Sequence, residues 1–317
     1  MTPFDNVLDQ CLAVAPGEEV VLLADEGTDP AVVSGLTTGI FERGGTPLVA
    51  RMPSPALPGA EPPAAVAAMM RESSAIIELT SLFIGSSAAR RAATSAGARY
   101  LAMPGVRLDT FRPDGPLAVD FERLRIDAEK IGAAWGRATT FRLTSRGGTD
   151  LRGSVEDRPG RVLHGMAREP GAYMAPPDVE SGTAPVEGTA SGVVVIDADL
   201  LFMGEGPLDE PVVLHIDQGR LTRIEGAARG RLTSMLERCR DERMSNIAEV
   251  SVAFNPQGTV CSVPMETESS RGSAHIALGN SIAYGGRVDA IAHLDCVMRD
   301  AVLELDGQVV IAEGALP

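Results

Sequence analysis

The chain has 317 residues, of which 44% are hydrophobic, and a formal net charge of −15. This length favours two domains over a single core, and the apolar content excludes a globally disordered chain. The negative charge and the single tryptophan argue against nucleic-acid binding, which requires clustered Lys and Arg and stacking aromatic side chains.

Membrane insertion is not expected either, because no apolar run reaches the length of a spanning helix. The first residues lack the basic and apolar pattern of a secretory signal. No CxxC spacing occurs among the cysteines, which are Cys11, Cys239, Cys261 and Cys296. They indicate reduced thiols, so we expect a cytoplasmic protein that acts on a small molecule or a short peptide.

Residues 1–137 alternate helix and strand patterns. Asp29 followed by Pro30 predicts a helix N-terminus, and Gly44-Gly45 predicts the end of that helix. Short apolar runs predict strands near residues 20–23, 47–50, 75–79 and 100–103, with helices between them. This alternation predicts an α/β N-terminal domain with a parallel sheet. The turn ADEGT after the first strand has one glycine and two acids, which argues against a dinucleotide site.

A helix predicted over residues 117–135 closes this domain. From residue 138 to residue 317 short strand patterns alternate with Gly, Pro and Asp turns, and Gln218-Gly219 predicts a hairpin. A single helix is predicted near residues 229–243. We therefore expect a β-rich α+β C-terminal domain, and it contains most of the chemically informative residues.

Two of the four histidines, His275 and His293, lie close together in this second domain, and Asp295 follows His293 at a two-residue spacing. Alternate side chains of a strand share a face, so His293 and Asp295 can converge on one cation. Two imidazoles and one carboxylate match the ligand set of non-haem iron sites and also suit zinc. The alternative is that each histidine satisfies an ordinary core hydrogen bond.

Acidic residues strengthen the metal hypothesis. Glu249 interrupts an otherwise apolar strand pattern, where a buried carboxylate requires a partner or a cation, unless it faces solvent on an edge strand. Glu180 lies in the segment PPDVESGTAP. Glu266 and Glu268 are expected to be solvated loop acids.

Four segments resemble the M29 aminopeptidases of the aminopeptidase T type: VESGTAPVEG (179–188), AEVS (248–251), HIALG (275–279) and IAHLD (291–295). The resemblance implies two metal ions in the C-terminal domain and a dimeric or larger assembly. It places five residues at the metal-ligand positions: Glu180, Glu249, His275, His293 and Asp295. The ions would be Zn, Co or Mn.

The same resemblance implies an amide or peptide hydrolase, in which Glu180 and Glu249 act as bridging catalytic carboxylates. One departure concerns a tyrosine of the family, because this chain has Ile282 at that position and Tyr284 two residues later. Tyr284 and Arg299 are the candidate substrate-binding residues, the latter because a guanidinium can hold a carboxylate.

The chain also resembles the 2,5-dihydroxypyridine dioxygenases, which share this fold. Here the resemblance implies one Fe(II) held by His275, His293 and Asp295. Those enzymes use further histidines around the substrate, and the segment LFIG (82–85), where one is expected, has none. The hydrolase is our main prediction, the Fe(II) ring-cleaving dioxygenase is the alternative, and a metal-free binding protein is the third.

Overall fold

The computed structural model describes residues 2–204, 206–312 and 314–315. Its first part alternates helices with parallel strands. These elements are α1 (Pro3–Asp5), which continues into a π-helical turn (Asn6–Cys11), β1 (Glu19–Ala24), α2 (Pro30–Glu42), β2 (Thr46–Arg51), α3 (Ala64–Glu72), β3 (Ala75–Glu78), α4 (Ala88–Ser95), β4 (Arg99–Ala102) and α5 (Phe121–Trp135).

Local signals fix the ends of α2 where the sequence predicts them. The carboxylate of Asp29 accepts a hydrogen bond from the backbone N–H of Ala31 at 2.9 Å, and Pro30 occupies the first helical turn. Gly44 ends the helix in the left-handed region, with φ of 75°. Helix α5 begins later than predicted, at Phe121, because Asp120 caps it and no helix extends back over residues 117–119.

The second part is rich in strands. They are β5 (Thr140–Ser145), β6 (Asp150–Ser154), β7 (Arg161–Leu163), β8 (Tyr173–Met174), β9 (Glu180–Thr183), β10 (Ser191–Ile196), β11 (Asp199–Leu200), β12 (Val212–Asp217), β13 (Arg220–Glu225), β14 (Ile247–Ala253), β15 (Ala274–Gly279), β16 (His293–Met298), β17 (Ala301–Leu305) and β18 (Gln308–Ala312). The helices of this part are α6 (Arg229–Cys239) and α7 (Pro264–Ser269), and short 3₁₀ turns cover Leu108–Phe111, Glu242–Ser245 and Ile282–Tyr284.

The strands form three sheets. The first is parallel and has the order β2-β1-β3-β4-β8. The second and third are antiparallel, with the orders β13-β12-β10-β6-β5-β17-β18 and β11-β16-β15-β14-β9-β7. The predicted fold class is therefore confirmed: an α/β part with a parallel sheet precedes a β-rich part. The proposed boundary between residues 137 and 138 stays a prediction.

Packing explains why β1 reads as a continuous apolar run. Val20 and Leu22 belong to the main core cluster, whereas Val21 and Leu23 belong to a second cluster on the opposite face of the sheet. Such burial on both faces is typical of parallel sheets. In the described part of the chain, no helix is long and apolar enough to cross a membrane.

The third sheet lies deep in the molecule. Every residue of β14 and β15 is buried, and so is every residue of β9. A polar side chain on these strands therefore has no access to bulk water from within the sheet. Any charged group placed there needs a partner.

Candidate metal centre

Four neighbouring strands of the third sheet carry the predicted ligands on one face. Their order is β16-β15-β14-β9. His293 and Asp295 are two residues apart on β16, so their side chains share a face. Asp295 pairs with Ala277, and His275 pairs with Ser251, which aligns this face across β15 and β14. The same register brings in the glutamates of β14 and β9.

The five predicted ligands are in contact. Nε2 of His275 lies 3.1 Å from Oε2 of Glu180 and 3.1 Å from Oε1 of Glu249. Nε2 of His293 lies 2.9 Å from Oε2 of Glu249 and 3.2 Å from Oδ1 of Asp295. The two oxygens of Glu249 thus contact the two imidazoles, and both imidazoles face the same centre.

Two further acids belong to this centre, and the sequence interpretation missed both. Glu268, on α7, lies 3.6 Å from Nε2 of His275 and is buried, so the prediction of a solvated acid is wrong. Glu266, also predicted to be solvated, is buried as well, but it lies outside the centre and forms an ion pair with Arg112 at 2.7 Å. Asp178 is fully enclosed two residues before β9 begins. The sequence does carry a signal for Asp178: it lies two residues before Glu180, the same spacing that places His293 and Asp295 on one face of β16.

Negative charge exceeds positive charge at this centre. It contains five carboxylates and two imidazoles, from Asp178, Glu180, Glu249, Glu268, Asp295, His275 and His293. Burial and mutual repulsion raise the pKa of Asp178, Glu180 and Glu268 above the ordinary carboxyl value. Such a cluster is costly to bury unless a cation compensates it.

The charged forms of the two imidazoles and of Glu249 are favoured, unlike those of the three carboxylates above. Burial alone would favour neutral rings, but the neighbouring carboxylates raise the pKa of His275 and of His293 above the usual value. For Glu249, burial opposes ionisation, but hydrogen bonds from both imidazoles lower its pKa to about 2. The hydroxyl of Ser251 also donates to Glu249. Glu249 is therefore held in its charged form.

Unsatisfied atoms indicate what the centre lacks. Among the described residues, buried side-chain atoms at this centre without a hydrogen-bond partner are Oδ1 and Oδ2 of Asp178, Oε2 of Glu180, Nδ1 of His275 and Oδ1 of Asp295. Such groups are normally paired or bound to an ion. Donor atoms also cluster as Glu180, Glu268 and His275, and as Glu249, His293 and Asp295, with the atoms of each group within 4.8 Å of one another. Imidazole and carboxylate donors fit a divalent transition metal.

Two neighbours orient the imidazole of His293. Its Nδ1 lies 2.7 Å from the carbonyl oxygen of Asn280, and because a carbonyl only accepts, Nδ1 carries the proton. Nε2, which donates to Glu249 here, faces the metal centre and becomes a ligand atom when a cation displaces its proton. The ring of Tyr284 stacks on His293, and the Tyr284 hydroxyl donates to Oε1 of Glu180 at 2.7 Å. Tyr284 thus occupies the centre, whereas Ile282 is about half exposed at 49%.

A cavity opens beside the metal centre. Apolar side chains dominate its wall, and Arg90 and Arg161 are the only cationic ones other than a histidine among the described residues that line it. The lining is formed by Phe83, Gly85, Ser86, Arg90, Arg161, Leu163, Tyr173, Ala175, Asp178, Phe202, Met265, Glu268, Asn280, Ala283, Tyr284, His293 and Asp295. Among the described residues, His293 is the one histidine that lines the cavity. The segment 82–85, where the dioxygenase resemblance implies a further histidine, contributes Phe83 and Gly85 instead.

Other candidates lie elsewhere. Arg299 bonds through its backbone N–H and its guanidinium to Asp197, and it does not line the cavity. His215 is partly exposed on the second sheet, 3.4 Å from Glu225. His164 accepts a hydrogen bond from a backbone N–H two residues away. The structure therefore gives no support to Arg299 as a substrate contact.

Comparisons with known proteins name one enzyme family. The family model described as NicX, 2,5-dihydroxypyridine 5,6-dioxygenase, matches residues 1–317. A curated 2,5-dihydroxypyridine 5,6-dioxygenase from Pseudomonas putida KT2440 is 23% identical over 189 residues, which are 56% of this chain and 54% of that protein. The matched region thus spans about half the length of that curated relative.

Solved structures share the fold. The 2,5-dihydroxypyridine dioxygenase of Pseudomonas putida KT2440 superposes with a TM-score of 0.81 at 18% identity, over 99% of this chain and 96% of that one. The aminopeptidase AmpT of Thermus thermophilus gives a TM-score of 0.70 at 17% identity, over 99% of this chain and 98% of the other. At these identities both likenesses concern the fold alone.

The family match corrects our main functional prediction. The hydrolase prediction rested on five ligand positions that resemble those of the aminopeptidases, but the model matching the whole length is that of the dioxygenases. The predicted resemblance to the 2,5-dihydroxypyridine dioxygenases is confirmed, and the likeness to the aminopeptidase AmpT extends to the fold. The chain belongs to the family of the 2,5-dihydroxypyridine 5,6-dioxygenases.

Proposed function

We propose that this chain is an Fe(II)-dependent ring-cleaving dioxygenase that acts on a small dihydroxylated aromatic ring of the dihydroxypyridine kind. The observation that carries the proposal is the placement of His275, His293 and Asp295 on one face of adjacent strands, with Glu249 in contact with both imidazoles. Two imidazoles and one carboxylate are the ligand set of non-haem Fe(II) oxygenases, which leaves coordination positions open. Family membership supports the same reaction class.

The metal would be held by these three side chains. Bound Fe(II) would supply open positions for the substrate and O2 and would mediate electron transfer from the substrate ring, which is the net reductant, to O2. Glu249 contacts both imidazoles, so it fixes their separation and orientation. Glu180 contacts Nε2 of His275 and accepts a hydrogen bond from the hydroxyl of Tyr284, so it helps to orient both side chains.

The cavity wall would position the substrate. Phe83, Phe202 and Met265 provide apolar surface for a planar ring next to His293 and Asp295. Tyr284 extends this surface, since its ring is already stacked on His293. An apolar wall excludes water, which limits side reactions at the metal.

Iron reconstitution tests the proposal. Protein loaded anaerobically with Fe(II) should bind about one iron per chain at this ligand set. On mixing with 2,5-dihydroxypyridine and O2, we expect equimolar O2 uptake and loss of the ring absorbance. The same protein loaded with Zn(II), which has no redox chemistry, should show neither.

Two histidine variants provide the matched control. His293→Ala should lose iron and O2 uptake, whereas His215→Ala, which changes a histidine outside the cavity, should retain both. Iron-loaded protein that consumes no O2 with dihydroxylated rings, or activity that survives His293→Ala, would refute the proposed function.

A further inference from the structure

Two arginines line the cavity without a carboxylate partner. Arg90 lies on α4 and Arg161 on β7, and both are half-buried. Their hydrogen bonds go to uncharged acceptors: Arg90 to the carbonyl oxygen of Gly85 and the hydroxyl of Thr94, and Arg161 to the carbonyl oxygen of Ala283. Within the described residues, neither guanidinium forms an ion pair.

Glu78, a buried acid on which the charge of Arg90 acts, already has other hydrogen-bond partners. Glu78 accepts hydrogen bonds from the backbone N–H of Ile84 at 2.6 Å and from the hydroxyls of Thr80 and Tyr100 at 3.1 and 2.7 Å. It does not line the cavity. The carboxylates that do line the cavity, Asp178, Glu268 and Asp295, belong to the metal centre, and none of them forms an ion pair with either guanidinium.

The two guanidinium groups share one aromatic ring. Cζ of Arg90 lies 4.6 Å from the centre of the Tyr173 ring, and Cζ of Arg161 lies 5.8 Å from it. Burial, and to a lesser extent the charge of Arg161, lowers the pKa of Arg90. Nε of Arg161 is buried without a hydrogen-bond partner. An anion in contact with both guanidinium groups would reduce their mutual repulsion, and it would accept a hydrogen bond from the unpaired Nε of Arg161.

This cationic end lies close to the metal centre. Cζ of Arg161 is 5.3 Å from the ring centre of Tyr284, and the Tyr284 ring centre is 5.5 Å from that of His293. One aromatic layer thus separates the guanidinium from a metal-binding imidazole. A single substituted ring can contact both ends of the cavity at once.

We propose that Arg90 and Arg161 form an anion subsite, and that the substrate carries a carboxylate on the side of its ring that faces away from the metal. The proposal rests on the proposed function for the kind of ring. The planar guanidinium fork matches a carboxylate in shape and charge. The hydroxyl groups reach the metal end, where five carboxylates would repel a second anion but attract a cation. The subsite therefore fixes the orientation of the ring in the cavity.

Ligand binding without turnover tests this subsite. The probes are 3,4-dihydroxybenzoate and 1,2-dihydroxybenzene, which differ only in a carboxylate placed away from both hydroxyls. Calorimetry is performed on Fe(II)-loaded protein without O2. The carboxylate should tighten binding by about tenfold or more, as expected for charge-assisted hydrogen bonds.

Three variants locate the effect. Arg161→Gln and Arg90→Gln should each reduce the preference for the carboxylated probe severalfold, and binding of the uncharged probe should stay unchanged as a sign of an intact fold. Arg91→Gln is the control, because Arg91 is the next residue of α4 and lines a different pocket. It should keep the full preference.

Equal affinities for the two probes, or a preference that survives both variants, would overturn the anion subsite. These outcomes are separable from failure of the proposed function. A carboxylate preference in a protein that consumes no O2 removes the dioxygenase and keeps the subsite. Cleavage of dihydroxypyridine without any preference for the carboxylated probe keeps the dioxygenase and removes the subsite.

Discussion

The ring of Tyr284 lies parallel to the imidazole of His293, with 10° between the planes and 5.5 Å between the ring centres. Its hydroxyl meanwhile donates to Glu180 at 2.7 Å. One side chain therefore supports two predicted ligands, one by stacking and one by hydrogen bonding. This double contact explains how a tyrosine shifted by two positions can serve the centre, since the exposed Ile282 cannot.

Removing the hydroxyl separates the two contacts. Tyr284→Phe keeps the stacking on His293 but leaves Glu180 without its donor, so we expect Fe(II) affinity to fall by about tenfold. Anaerobic metal titration measures this change. Ile282→Ala, two residues away and exposed, should leave the affinity unchanged, and an equal loss in both variants would exclude a specific role of the hydroxyl.

Metal removal should make stability depend on pH. Without a cation, burial and repulsion disfavour ionisation of Asp178, Glu180 and Glu268, whose folded pKa values are raised. The folded state then binds more protons than the unfolded state, so stability falls as pH rises past the unfolded carboxyl values. The raised pKa of His293 acts in the same direction, because its favourable charge is lost as pH increases.

Thermal unfolding with and without chelator measures this effect. The melting temperature of the chelated protein should fall between about pH 5 and about pH 8, while that of the metal-loaded protein changes less. Parallel curves for the two samples would mean that the acidic cluster does not bind the cation.

Glu78 provides a pH effect away from the metal. Burial raises its pKa to about 7 although Ile84 and Tyr100 donate hydrogen bonds to it. Because the folded value exceeds the unfolded one, Glu78 costs stability increasingly as pH rises from about 4.5 to about 7. Glu78→Gln should therefore gain roughly 1–3 kcal/mol relative to the parent over this range.

Urea unfolding of both proteins at several pH values checks this expectation. Glu72→Gln, which changes an exposed glutamate, should shift the free energy of unfolding by the same small amount at each pH. A similarly constant offset for Glu78→Gln would show that Glu78 is charged throughout.

Gly182 permits the close approach of β9 to β14. A Cβ atom there would lie 1.6 Å from Oγ of Ser251 and 2.6 Å from the carbonyl oxygen of Val250. Since Ser251 donates to Glu249, we expect Gly182→Ala to cost about 1–3 kcal/mol of stability and to weaken metal binding. Denaturant unfolding and metal titration measure the two effects.

Gly230→Ala is the matched control, because a Cβ at Gly230 on α6 meets nothing within 4 Å. There, alanine should stabilise the protein by roughly 0.5–1 kcal/mol through its higher helix propensity. Similar losses in the two variants would contradict a specific steric role for Gly182.

Local chemistry in the sequence predicted much of the fold. Asp29-Pro30 predicted the start of α2, and Gln218-Gly219 predicted the β12–β13 hairpin, because capping and left-handed turns depend on residues next to each other. The two-residue spacing of His293 and Asp295 likewise predicted a shared face. These inferences needed no knowledge of distant contacts.

The remainder depends on contacts between distant segments. Glu268 reads as a surface acid, since nothing in its neighbourhood shows that α7 packs against His275. Arg90 and Arg161 are separated by several elements, and only the folded chain brings both to Tyr173. The reaction class was mispredicted because both resemblances rest on the same residues, His275, His293 and Asp295, and the match of the dioxygenase family model to residues 1–317 is what separates them.

Strand β8, which follows residue 137 in the chain, completes the parallel sheet whose other four strands precede that residue. Tyr173 pairs with Tyr100, and the N–H of Tyr100 donates to the carbonyl oxygen of Ala172 at 2.8 Å. A fragment ending at residue 137 would leave β4 as an unprotected edge, prone to pairing with other chains. Expression of the halves as separate polypeptides should thus give aggregation. Separation of β8 from β4 would also displace the ring of Tyr173, which both arginines contact.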